Sequence, residues 1–155
     1  MKTLFILLFV FIGISAQDNE HSYMKAIDRC DILVEDLNEA AKNLGITKNV
    51  IQAEVLKMFN DVGIEHELTS DIPTIYISLG SFYVRDSSSI VYHISVELFD
   101  YITYKDDFTW ATIWDKNYTG IVGRKEDKSK ILNDLKKLLD LFKADYIVGS
   151  SRYGY

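Results

Sequence analysis

The sequence predicts an α+β fold, a two-layer sandwich with helices on one side and a sheet on the other. Three observations carry that reading. Apolar residues recur at helical spacing in two segments, Val50 to Val62 and Ile131 to Tyr146. Between them lie three runs with the apolar–polar alternation of a half-buried strand. A meander of strands with helices before and after it leaves both amphipathic stripes to bury against the one apolar face of the sheet.

The first element is ambiguous from its residues. Leu33, Leu37, Ala40, Ala41 and Leu44 recur at helical spacing with Gly45 to close a helix, yet Ile32-Leu33-Val34 is an apolar core flanked by charge that suits a short strand. The next element is a helix. Thr47 is its N-cap, Val50, Ile51, Val55, Met58, Phe59 and Val62 form its stripe, and Gly63 is its C′ residue. Asp71-Ile72-Pro73 then turns into a strand in which Ile75, Ile77 and Leu79 alternate with Tyr76 and Ser78. The single Pro marks the start of a strand, where its missing N–H is tolerated. Arg85 to Ser89 reads as a hairpin loop. In the strand that follows, Ile90, Tyr92, Ile94, Val96 and Leu98 share one face, and Val91, His93, Ser95, Glu97 and Phe99 share the other. Lys105-Asp106-Asp107 turns the chain into a third run from Phe108 to Trp114, which Asp115-Lys116-Asn117 ends. Gly120 and Gly123 read as the turn into a closing helix from about Asp127 to Tyr146, lined by Ile131, Leu135, Leu138, Phe142 and Tyr146. Its other face carries Lys130, Asp134, Lys137 and Asp140, and the segment from Ser150 to Tyr155 has no period.

Composition narrows the class. With 155 residues, 48% hydrophobic and 13% aromatic, the chain holds enough apolar matter for one core. It is neither disordered nor collagen-like, and its one Cys excludes an intramolecular disulfide framework. The 17 Lys plus Arg against 23 Asp plus Glu give a formal charge of -6, which argues against nucleic acid as a partner. At the N-terminus Lys2 precedes an apolar run from Leu4 to Ile14, followed by Ser15-Ala16 and the polar stretch from Gln17 to Glu20. That is the pattern of a secretory signal peptide cut after Ala16, with an uncleaved anchor as the alternative. No later stretch is apolar and long enough to span a bilayer as a helix. The residue after the cut is Gln17 rather than the Cys that lipidation requires.

Val34-Glu35-Asp36-Leu37, Leu44-Gly45-Ile46-Thr47 and Val62-Gly63-Ile64, then Tyr92 to Leu98, Ala111-Thr112-Ile113-Trp114 and Asp145-Tyr146, together resemble an uncharacterised family of secreted bacterial proteins. The resemblance spans residues 29–148 and implies that Ile32 to Leu37 is a strand. The order becomes β-α-β-β-β-α, a four-stranded and largely antiparallel sheet with two helices packed on one face. The implied domain covers 17–148, between a signal peptide at 1–16 and a flexible tail at 149–155. The same element order is similar to the lipoprotein partner in lipopolysaccharide assembly at the outer membrane. The first likeness implies a fold and export, the second an architecture alone; neither brings catalytic residues.

Chemistry-bearing constellations are few. His21, His66 and His93 lack metal-ligand spacing, and no metal or other cofactor is expected. His66 between Glu65 and Glu67 reads as a solvated strand edge. Gly120 and Gly123 do not form a phosphate loop, and Ser87-Ser88-Ser89 has no nucleophile elbow around it. Cys30 reads as a small buried hydrophobe. Asn117-Tyr118-Thr119 matches a glycosylation sequon, which acts only in a eukaryotic secretory pathway.

The aromatic inventory is larger. The ten Tyr, eight Phe and two Trp exceed what one small core needs. Tyr76, His93, Phe99, Tyr101, Trp110 and Trp114 fall in the strand register away from the helices, an aromatic face with polar insets of the kind used in contacts. The competing reading is that cross-strand aromatic pairs merely stabilise the sheet. The expected function is therefore a non-catalytic binding or assembly module of the bacterial envelope, exported to the periplasm or beyond. Its helix-free face would engage a protein or an envelope polymer. The alternatives are a small secreted hydrolase that pairs His93 or His66 with an acid, and a structural subunit of a homo-oligomer.

Overall fold

The computed structural model describes Met24 and residues 27–105, 107–123 and 128–151. The expected signal peptide, His21, Asp106 of the expected turn and residues 152–155 of the expected tail lie outside the described residues.

The elements run β1 (Arg29–Val34), α1 (Glu39–Asn43), α2 (Lys48–Val62), β2 (Glu65–His66), β3 (Thr74–Tyr83), β4 (Ser89–Tyr104), β5 (Asp107–Gly123) and α3 (Ser129–Ser151). One mixed sheet has the strand order β2-β1-β3-β4-β5. β1 lies parallel to both β2 and β3, while β3, β4 and β5 form an antiparallel meander. The α+β class therefore holds, but among the described residues the sheet has five strands rather than four and the helices number three rather than two. The additions are β2 and α1, of two and five residues. Neither is long enough to display a period, so their hydrogen bonds rather than their residue pattern define them.

β1 is extended only to Val34, not to Leu37, and its pairing with β3 resolves the ambiguous first segment. Past its end Asn38 caps α1, its side chain accepting from Ala41 N at 3.1 Å and from Ser81 Oγ at 2.8 Å. The Asn38 amide also donates to the Ser81 carbonyl, so one side chain ties the crossover to β3. α2 begins and ends where the sequence predicts. Thr47 Oγ1 accepts from Val50 N at 3.3 Å, and Gly63 closes the helix at φ 78°, a conformation natural to glycine.

The helices share one face of the sheet. Ile51, Val55, Met58 and Phe59 of α2, with Ile131, Leu135, Leu138, Leu139 and Phe142 of α3, bury against that face. The sheet answers with Ile32 and Val34 of β1, Ile75, Ile77 and Leu79 of β3, and every second residue of β4 from Ile90 to Leu98. Burying a large apolar side chain is worth roughly 1.5–3 kcal/mol, so this interface is the main source of stability. Two boundaries differ from expectation. β5 continues through Asp115-Lys116-Asn117 to Gly123 because β4 pairs with it along its whole length. α3 runs to Ser151, so residues 149–151, expected in the tail, are helical.

Candidate functional site

On the side of the sheet away from the helices, the register arranges the side chains in rows. Leu33, Tyr76, Glu97 and Asp115 form one row across β1, β3, β4 and β5. Phe99 pairs with Thr112, Tyr101 with Trp110 and Thr103 with Phe108 in the rows that follow. The last β3–β4 pair is Thr74 with Phe99, so the hairpin beyond that point leaves the sheet as a two-stranded arm. At its root the aromatics touch. Tyr76 meets Phe99 edge-on at 6.1 Å, Phe99 stacks with Trp110 at 6.0 Å, and Trp110 meets Tyr101 edge-on at 4.6 Å. Tyr101 is 47% exposed, Trp110 41% and Phe108, nearer the tip, 79%. Burial, the charge of Glu35 and a hydrogen bond to it, and the charge of Glu97 hold the Tyr76 hydroxyl above the usual tyrosine range. It stays a protonated donor at physiological pH.

The structure thus brings together Tyr76, Phe99, Tyr101 and Trp110. His93 lies on the same face but farther along β4, beyond Ser95 and Glu97, where its Nδ1 contacts Thr119 Oγ1 at 2.9 Å. Trp114 does not belong to this face. Leu98 pairs with Trp114 whereas Phe99 pairs with Thr112, so Ile113 is an extra residue and the alternation of β5 inverts there. The bulge turns Trp114 under the helices, where it is 7% exposed. Its ring meets Phe142 edge-on at 5.1 Å and its Nε1 donates to Asp145 Oδ2 at 2.9 Å. Sequence reasoning missed Leu33 and Phe108, both exposed on the open face. Phe108 was within reach, because it precedes Trp110 by two residues on one strand.

Other reactive groups serve the fold. Burial is the main cause that pushes the Cys30 thiol up to about 12, with the charges of Asp31 and Asp100 adding to it against a backbone hydrogen bond from Ile75. Such a thiol is not a nucleophile at neutral pH. His66 Nε2 sits 3.7 Å from Asp31 Oδ1 at the β1–β2 edge. An apolar cavity of about 10 Å³ between α2, α3 and the sheet and an open groove between α2 and α3 contain neither His66 nor His93. Among the described residues no group of three His, Cys, Asp or Glu could hold a metal ion.

A polar triad with two buried members, Tyr92 and Asp134, and an exposed Lys137 lies on the helix side. Tyr92 Oη donates to Asp134 Oδ2 at 2.5 Å and Lys137 Nζ donates to Asp134 Oδ1 at 2.6 Å. Burial raises the Asp134 carboxyl, but these two hydrogen bonds and the charges of Lys137 and Lys130 outweigh it and hold the group below the usual range. Because the unfolded chain takes up this proton first, the contribution is present above the ordinary carboxylate value near 4 and is lost as pH falls through the folded value. Urea titrations of the parent and Asp134→Asn between about pH 2 and pH 7 should show the parent's advantage at neutral pH shrink toward zero below about pH 4. A gap independent of pH would assign the Asp134 effect to packing alone.

No protein-family model matches the chain, and no curated protein matches it. Among solved structures it is similar to a PelC dodecamer, a point variant from Paraburkholderia phytofirmans, with a TM-score of 0.48 at 9% identity, covering 79% of this chain and 89% of that one. A minor lipoprotein from Acinetobacter baumannii gives a TM-score of 0.38 at 6% identity, covering 81% of this chain and 93% of that one. An uncharacterized protein gives 0.34 at 12% identity, covering 81% and 92%. With TM-scores below 0.5, these likenesses carry no argument about what the chain does. No helix among the described residues is long and apolar enough to cross a membrane.

Proposed function

We propose that this chain is an exported, non-catalytic contact module that engages its partner through the helix-free sheet face. The observation that carries the reading is the contiguous cluster of Tyr76, Phe99, Trp110 and Tyr101 on the uncovered side, extended along the arm by Phe108. Cross-strand aromatic pairs stabilise sheets by roughly 0.2–1 kcal/mol each, which would explain Tyr76 and Phe99. It applies to Tyr101 opposite Trp110 as well, but it explains neither Phe108, which faces Thr103 and is 79% exposed, nor the extension of the aromatic row beyond the end of β3, where there is no core to build. Large aromatics held rigid and exposed are the residues that anchor contacts.

The test is capture of partners from native cells by the parent and by a Tyr76→Ser, Tyr101→Ser, Trp110→Ser triple variant. Removing three anchors should lower capture at least about tenfold while the fold persists, as read by circular dichroism. Retention of the same partners at the same yield by a folded triple variant would overturn the reading. A second observation favours self-association as one form of that contact. β5 is the terminal strand of the sheet among the described residues, and such an edge can take another strand beside it. Light scattering of the purified chain separates the two.

A further inference from the structure

We infer that the occupant of the open face is a basic, extended polypeptide segment, docked alongside β5 with lysine or arginine side chains over the Glu97–Asp115 row. The inference rests on the proposed contact face and specifies its partner.

The first argument is an uncompensated charge opposition. The register sets Glu97 directly opposite Asp115 on β5 and opposite Tyr76 on β3. Like charges facing each other on antiparallel strands destabilise the pairing. The ion pairs among the described residues, among them Arg29 with Glu67, Lys48 with Asp36, Lys136 with Glu54 and Lys143 with Asp61, all fall elsewhere. Glu97 Oε1 accepts from Ser95 Oγ at 2.9 Å, a neutral partner. Lys116 follows Asp115 but lies on the helix side, its Nζ 5.8 Å from the Trp114 ring. Glu35, bonded by Tyr76, adds a third carboxylate beside the same ring.

The second argument is the neighbourhood. Glu97 lies opposite Tyr76 and one row from Phe99, and a Lys or Arg side chain satisfies both surfaces at once. Its alkyl stem covers an apolar ring while its cationic head reaches a carboxylate or lies over a ring face. A formal charge of -6 on the whole chain favours the same sign of partner. An anionic surface would be repelled.

The third argument is the edge, which selects a polypeptide. A strand added beside β5 pairs its backbone with β5 and sends every second side chain to the open face. One such side chain extends the row of Leu33, Tyr76, Glu97 and Asp115 by one position, next to Asp115. A basic residue there answers the charge that β4 and β5 leave unanswered.

Fluorescence anisotropy with a labelled decapeptide of alternating lysine and threonine tests this, against a glutamate–threonine counterpart. The parent should bind the lysine peptide, more weakly as salt rises, and should not bind the glutamate peptide. Glu97→Gln with Asp115→Asn should weaken binding about tenfold or more and should melt no lower than the parent, since a repulsion is removed. Asp86→Asn with Asp140→Asn, both exposed and off the face, removes the same charge and should leave binding unchanged. Equal loss from both pairs, or equal binding of both peptides, would overturn the inference. If the triple aromatic variant loses native partners while the Glu97–Asp115 variant keeps them, the contact face stands and the basic partner falls. If neither loses them, both fall.

Discussion

Trp114→Ala is expected to lower the stability of the fold by about 3–5 kcal/mol, whereas Trp110→Ser, four positions earlier on the same strand, should change it by less than about 1 kcal/mol. The contrast follows from the bulge at Ile113. Trp114 fills space between β5 and α3, edge-on to Phe142, and truncation leaves a cavity among side chains that cannot all collapse into it. It also strips the half-buried Asp145 carboxylate of the indole donor at 2.9 Å. Trp110 contacts only Phe99 and Tyr101 among the described aromatics and stands 41% exposed on the arm, so its loss leaves the core untouched. Urea midpoints with unchanged slopes would read the two costs directly. A reversed ranking would return Trp114 to the open face and remove the bulge. The same pair of variants separates fold from contact, because the residue that matters less for stability is the one proposed to matter for capture.

The contrast between the two tryptophans also shows where the residue pattern stops being informative. Period-two alternation is reliable while pairing is regular, and β4 from Ile90 to Phe99 has the two faces that its residues predict. Tyr76 and Phe99 followed from the same rule. Trp110 and Trp114 are both even-numbered, so strict alternation assigns them one face. A single inserted residue reverses the second, and nothing in Ala111-Thr112-Ile113-Trp114 announces the insertion. The length of β5 was hidden for a related reason. Asp115, Lys116, Asn117 and Gly120 are poor strand formers, and only their partners on β4 hold them extended. The projecting arm was invisible because it is a difference in length between β3 and its neighbours, a property of pairing. By contrast, α2 was fully legible, since a cap, a stripe and a terminal glycine are all local.

Gly120, which looked like a turn residue, is expected to be among the least replaceable positions in the chain. It pairs with Tyr92, and a Cβ placed on it would stand 2.5 Å from Tyr92 Cζ and closer still to the hydroxyl. An exposed tyrosine would swing aside. This one is fully buried and its hydroxyl donates to Asp134 at 2.5 Å, so movement deprives a buried carboxylate of a donor as well as displacing a packed ring. Gly120→Ala should therefore cost about 2–4 kcal/mol, the sum of an overpacking strain and a damaged buried hydrogen bond. The cause is tested by a double-mutant cycle with Tyr92→Leu, which removes the obstructing end of the ring. On that background Gly120→Ala should be neutral or stabilising by up to about 1 kcal/mol, because alanine loses less backbone entropy than glycine in a strand. Tyr92→Leu is itself destabilising, so the quantity that decides is the coupling between the two changes. Additive costs would show that glycine is required at 120 for a reason other than the ring that lies over it.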